Sequence, residues 1–74
     1  MIDIAELKIG DHVHYKPSHY KEDEYENGIV KSIQPNQVEN VFVVYNCNGQ
    51  WHDYKNYTAA CTNLQDLFSG WRHD

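Results

Sequence analysis

Basic residues are scarce in this chain. Six lysines and arginines stand against eleven aspartates and glutamates, a formal net charge of −5. The six (Lys8, Lys16, Lys21, Lys31, Lys55 and Arg72) are scattered rather than clustered. Duplex nucleic acid is held mainly by phosphate neutralisation from grouped Lys and Arg, so the balance argues against a duplex-binding surface. It leaves open a nucleotide held by backbone amides and ring stacking. Long apolar runs are missing too. The longest, from Val41 to Tyr45, is far short of the ~20 residues that span a bilayer as a helix, which predicts no membrane. Met1 is followed by acidic residues and not by an apolar segment, so no secretory leader is expected. The only cysteines, Cys47 and Cys61, lack metal-site spacing and read as reduced thiols of a cytoplasmic protein. A disulfide between them is not expected.

A chain of 74 residues makes one domain, residues 1–74. At this size only roughly 60–65% of the unfolded surface is buried, and the core is thin. With no obvious staple, homo-oligomerisation is an expectation.

What the sequence does have is aromatic residues: six tyrosines, two tryptophans and two phenylalanines. Apolar alternation supplies the strands. Asp3 caps a short lead-in turn, with Glu6 at the reciprocal position and Gly10 as its stop. From Asp11 to Lys16 the period becomes two, with Val13 and Tyr15 on one face and His12 and His14 on the other. Pro17 ends this strand. The polar, acidic stretch to Glu26 reads as a long exposed loop, closed by an Asn27-Gly28 turn. Ile29–Ile33 is the second strand and Gln34–Gln37 a turn. A third strand starts at Val38 or Val41 and runs to Asn46, rich in β-branched and aromatic residues. Asn48-Gly49 predicts a type I′ hairpin, with Trp51–Thr62 as a fourth strand of irregular start. Thr62-Asn63-Leu64-Gln65 has capping-box spacing, and Leu64, Leu67 and Phe68 fall on one face of the helical turn that follows. After Ser69-Gly70, Trp71-Arg72 forms a last short strand or a clasp. This order suits a mainly β fold, a small SH3-like barrel of about five strands with a short helical turn before the last. An open α+β sheet is the rival.

Three constellations carry candidate chemistry. His12 and His14 share a strand face, and His19, His52 or His73 would have to complete a zinc site, but no compact ligand motif does so. No metal and no cofactor are expected. Cys47, His52 and Asp53 have the residue types of a nucleophilic site, yet they sit on or beside one turn with no evident oxyanion donor. Cys47 reads instead as a small, partly buried turn residue and Cys61, beside Ala59 and Ala60, as core. The third set is the dense run Tyr45, Asn46, Trp51, His52, Asp53, Tyr54, Tyr57 and Thr58. Period two sends about half of it inward, with Tyr45 and Tyr57 the core members. Trp51, Tyr54, Asn46 and Thr58 remain as a stacking and hydrogen-bonding surface. Tyr20 and Tyr25 would form its opposite wall, and Arg72 a phosphate contact. The acidic run Glu22-Asp23-Glu24 with Glu26 is either a solvated loop or a lure for a basic partner.

The stretches Ile9–Tyr15, Asn27–Lys31, Val43–Cys47 and Tyr57–Thr62, with the closing Asp66–Trp71, together resemble small proteins of bacterial phages and prophages. The resemblance covers Leu7 to Trp71 and brings no established site residues. It implies a phage origin, the cytoplasm of the host cell and an SH3-like fold. Small phage proteins of this size often counter host defence by occluding a protein or sequestering a nucleotide signal, an analogy of fold and setting only. The expectation is therefore a non-enzymatic binding protein. Its ligand would be a small nucleotide-like immune signal or, alternatively, a host or phage protein partner.

Overall fold

The computed structural model describes residues 2–34, 36 and 39–73. Five strands form one antiparallel sheet: β1 (His12–Tyr15), β2 (Glu26–Ser32), β3 (Asn40–Val44), β4 (Ala60–Asn63) and β5 (Leu67–Ser69). Their order across the sheet is β4-β3-β2-β1-β5. Three short 3-10 segments (Ile4–Glu6, Trp51–Asn56 and Leu64–Asp66) complete the element list, the last lying between β4 and β5. The fold is mainly β and barrel-like, as the alternation predicted. A register shift between Val30 and Ser32 in β2 supplies the local bend that a strongly curled sheet needs.

The concave face of the sheet carries the core. Val13, Val30, Val41, Val43, Leu64 and Leu67 are buried there with Leu7, and Tyr15, Ile33, Tyr45, Ile2 and Ile4 pack around them. The predicted split of β1 holds: Val13 is buried and His12 exposed. Thr62 is the buried polar residue of the set. Its hydroxyl pairs with the Tyr45 hydroxyl at 2.8 Å and reaches the Ala60 carbonyl at 3.2 Å, which satisfies a group that would otherwise be costly inside.

Several expectations give way, each for a physical reason. The predicted fourth strand is two elements. Asn48 and Gly49 both take positive φ, 52° and 77°, and Gln50 N–H closes the turn on the Cys47 carbonyl at 2.8 Å, so the type I′ turn forms. No hairpin follows it. Trp51–Asn56 winds into a kinked 3-10 helix, and β4 begins only at Ala60. Behind this lies a second buried group. Ile29 and Val44 face each other across β2 and β3 and are buried, with Cys47, outside the main cluster. The Trp51–Asn56 helix packs on β2 and covers this outer face, which a strand could not do while pairing at the sheet edge.

Asn27-Gly28 lies inside β2 and makes no turn. Cys61 is exposed, because Val41 pairs with Thr62 and Phe42 with Cys61; the β4 phase is set by Thr62 pointing inward. With Thr62 so engaged, Asn63 becomes the helix cap and accepts from Gln65 N–H at 3.0 Å. Leu64 and Leu67 are buried as expected, but Phe68 sits in β5 with 36% of its surface exposed. The last strand is Leu67–Ser69 and not Trp71-Arg72, which act as the clasp described below. Of the predicted turn Gln34–Gln37 and the strand start at Val38, residues 35, 37 and 38 lie outside the described residues.

One prediction arises from the Tyr45–Thr62 pair. Burial pushes the Tyr45 phenol well above its ordinary value, the Thr62 hydrogen bond pulls it back and the Glu26 carboxylate raises it further. A phenol with a raised folded-state pKa keeps its proton longer in the native state than in the unfolded chain. Its contribution is intact below about pH 10 and is lost as pH climbs towards the folded value. Unfolding midpoints are therefore expected to fall above pH 10, and Tyr45→Phe to flatten that alkaline slope in denaturant titrations at pH 9, 10 and 11. An equally steep decline in the variant would contradict this.

Candidate ring-lined binding face

The outer face of β1 is paved with rings. His12 and His14 project from it two residues apart, and the chain after β5 turns back across them. Gly70 makes this return with φ of +82°, a left-handed value that costs any other residue roughly 1–2 kcal/mol. Its N–H donates to the His12 carbonyl at 2.8 Å, and its own carbonyl accepts from His14 Nδ1 at 2.8 Å. A carbonyl can only accept, so His14 carries its proton on Nδ1.

Trp71 then stacks on His12, with centroids 4.1 Å apart and planes 15° from parallel. Its indole N–H donates to the Gly28 carbonyl at 2.8 Å. Asn27 fixes the next residue twice over: its Nδ2 donates to the Arg72 carbonyl at 2.8 Å and its Oδ1 accepts from Arg72 N–H at 2.9 Å. Trp51 leans on Trp71 from the 3-10 helix at 4.8 Å. His73 meets Trp71 edge-on at 6.3 Å. Phe68, opposite His14 in the β1–β5 register, stacks on it at 5.4 Å, and Tyr25 meets His14 edge-on at 6.5 Å. The Arg72 guanidinium lies 4.8 Å from the Tyr25 ring centre and donates to the Glu22 carbonyl at 3.3 Å. The result is a continuous band, from Trp51 through Trp71 and His12 to His14, Phe68, Tyr25 and Arg72, bordered by the acidic loop. His12, Phe68 and His73 are exposed and the other rings partly so.

Of the sequence candidates, Trp51, Tyr25 and Arg72 belong to this band. The rest do not join them. Tyr20 packs edge-on against Tyr15 at 5.6 Å, at the other side of β1. Asn46 is exposed in the turn and accepts from Asn48 N–H at 3.3 Å. The Tyr54 hydroxyl rests against Gly10. Thr58 borders a shallow cleft with Lys31, Gln34 and Phe42. His12, His14, Phe68 and Trp71, which complete the platform, are not among the sequence candidates. The signal in the sequence is the outward pair His12-x-His14, a pattern that equally suits a metal half-site. Among the described residues no group of three or more His, Cys, Asp and Glu comes together to hold a metal. Cys47 is buried and His52 exposed.

The clasp yields a prediction. Asn27→Ala removes two hydrogen bonds to the Arg72 backbone and is expected to cost about 1–3 kcal/mol, with a red shift of tryptophan emission as Trp71 lifts from His12. Unchanged stability and emission would show that the tail is held without Asn27.

Among the described residues no helix is long and apolar enough to cross a membrane. Comparison with protein-family models, with curated proteins and with solved structures finds no match to this chain.

Proposed function

We propose that this chain is a non-enzymatic binding protein whose ring-lined face docks on another protein. The observation that carries the reading is the band itself. Trp, Tyr and Arg are the residue types that concentrate binding energy at protein interfaces, and here they are pre-ordered by stacking and hydrogen bonds, so little side-chain freedom remains to be lost on docking. The band lies on an open face and not around an enclosed pocket, which suits a protein surface better than a small molecule. The acidic residues Glu22, Asp23 and Glu24 of the first loop border it, so the fitting partner surface is apolar with basic residues at one side. The phage resemblance supplies a setting, the cytoplasm of an infected cell, in which a host defence protein is the partner.

A second reading rests on Tyr25 and Arg72. A ring beside a guanidinium can stack a base and meet a phosphate, so sequestration of a nucleotide-type signal is its basis. Native mass spectrometry of the protein recovered from infected host cells, next to a Phe68→Ala and Trp51→Ala double variant, tests both. A stoichiometric protein partner lost in the variant supports docking. A retained mass of nucleotide size, lost in the variant, transfers the function to sequestration. Identical species on both proteins would overturn the assignment of this face.

A further inference from the structure

We propose that the cleft at the opposite side of β1 is a second site, one that binds an organic monocation such as an alkylammonium or guanidinium group. The cleft has a volume of about 440 Å³ and is lined by Tyr15, Glu26, Tyr45, Thr62 and Asp66, among others. Its lining comes from β1, β2, β3 and β4 and from the 3-10 segment that follows β4. Its position follows from the register. Glu26 sits directly opposite Tyr15 in the β1–β2 ladder, so its carboxylate shares the concave face with the Tyr15 ring. Glu26 is exposed, so its carboxylate stands at the solvent-facing rim of the cleft.

Tyrosine rings supply the walls. Tyr15 and Tyr45 stand 5.9 Å apart with planes at 60°, and Tyr20 meets Tyr15 edge-on. The Tyr45 hydroxyl is tied to Thr62, which fixes its ring as one wall. Aromatic faces attract cations within about 6 Å of a ring centre, and two carboxylates add charge to that attraction. Among the described residues, no cation pairs with Glu26 or Asp66. Lys16, next to Tyr15 in the chain, spends its ammonium on the Lys21 and Glu24 carbonyls of the first loop. Glu26 also acts on the tyrosines at a distance: after desolvation it is the largest influence raising the Tyr20 phenol, and it raises Tyr45 as well. The cleft thus combines fixed rings, negative charge and room for a group far larger than water, whose share of liquid volume is roughly 30 Å³. Anions find no positive side chain in its lining.

The test is a chemical-shift titration of the full chain with Nα-acetyl-arginine methylamide, Nα-acetyl-lysine methylamide, n-butylammonium and, as a neutral isostere, Nα-acetyl-citrulline methylamide. The cations are expected to shift the Tyr15 and Tyr45 ring signals and the Glu26 amide, and citrulline to leave them in place. Equal shifts from n-butylammonium identify the ligand as a free amine; shifts from the blocked residues alone identify it as a side chain of a protein. Glu26→Gln should weaken binding at least about three-fold, and Glu26→Gln with Asp66→Asn about ten-fold, at unchanged thermal stability. Added salt should weaken it further. Shifts from citrulline matching those from arginine, or affinity unaltered in the double variant, would overturn the site.

Discussion

Gly28→Ala is expected to destabilise the protein by about 3 kcal/mol, the upper end of the usual cost of overfilling a packed site. Gly28 is buried in β2, between β1 and β3. A Cβ there would stand 2.6 Å from Val43 Cγ1, 2.9 Å from Tyr45 Cδ1 and 2.9 Å from the Val44 carbonyl oxygen. The last of these is backbone, held in the β2–β3 ladder, and cannot swing aside. Val43 is itself fully buried, so its methyl has no empty space to enter. A domain of this size has a total stability of roughly 4–11 kcal/mol, and each kcal/mol shifts the melting temperature by about 4–8 °C. A fall of roughly 12–24 °C follows from these figures. Gly49→Ala is the comparison. Gly49 has φ of +77° but nothing within 4 Å of an added Cβ, so only backbone strain of about 1–2 kcal/mol applies. A Gly28→Ala protein that melts no lower than Gly49→Ala would show that β2 and β3 are less tightly packed than described.

Trp71→Ala is expected to cause the largest loss of binding. Its indole is the centre of the band, stacked on His12, leaned on by Trp51 and anchored to the Gly28 carbonyl. Truncating a central, well-packed tryptophan costs about 2 kcal/mol or more at a protein interface, roughly a thirty-fold loss of affinity. The same change removes a hydrogen bond and a stack within the molecule, so stability falls as well, and the binding loss must be separated from it. Phe68→Ala provides the separation. Phe68 is exposed and stacks only on His14 among the ring contacts described, so its truncation should weaken binding several-fold at nearly unchanged melting temperature. Wild-type affinity in both variants, measured against the recovered partner, would remove the band from the account.

Part of the fold is legible because β1 and the start of β3 each bury one face. Val13 against His12, or Val41 and Val43 against Phe42, fix the phase by alternation. The reading failed where burial is two-sided or local chemistry decides. Ile29 and Val30 are both buried, one on each face, so β2 carries no alternation to extend back to Glu26, and Asn27-Gly28 shows only its turn signal. Here Gly28 is required for the close approach of Val43 and Tyr45, and Asn27 for the tail. The segment Trp51–Asn56 has aromatics that suit a strand. Its backbone instead bonds locally, with Asp53 N–H on the Gln50 carbonyl and Tyr57 N–H on that of Tyr54. The candidate site is half legible: the sequence points to Trp51, Tyr25 and Arg72, but their meeting place depends on the return of the tail at Gly70, a tertiary event with no local pattern.

Oxidative footprinting of the protein, free and bound to its recovered partner, tests the central claim most directly. Phe68, Trp71 and Trp51 are expected to become protected in the complex while Cys61, on the far edge strand β4, labels as before. Protection of Cys61 with unaltered labelling of the three rings would contradict it.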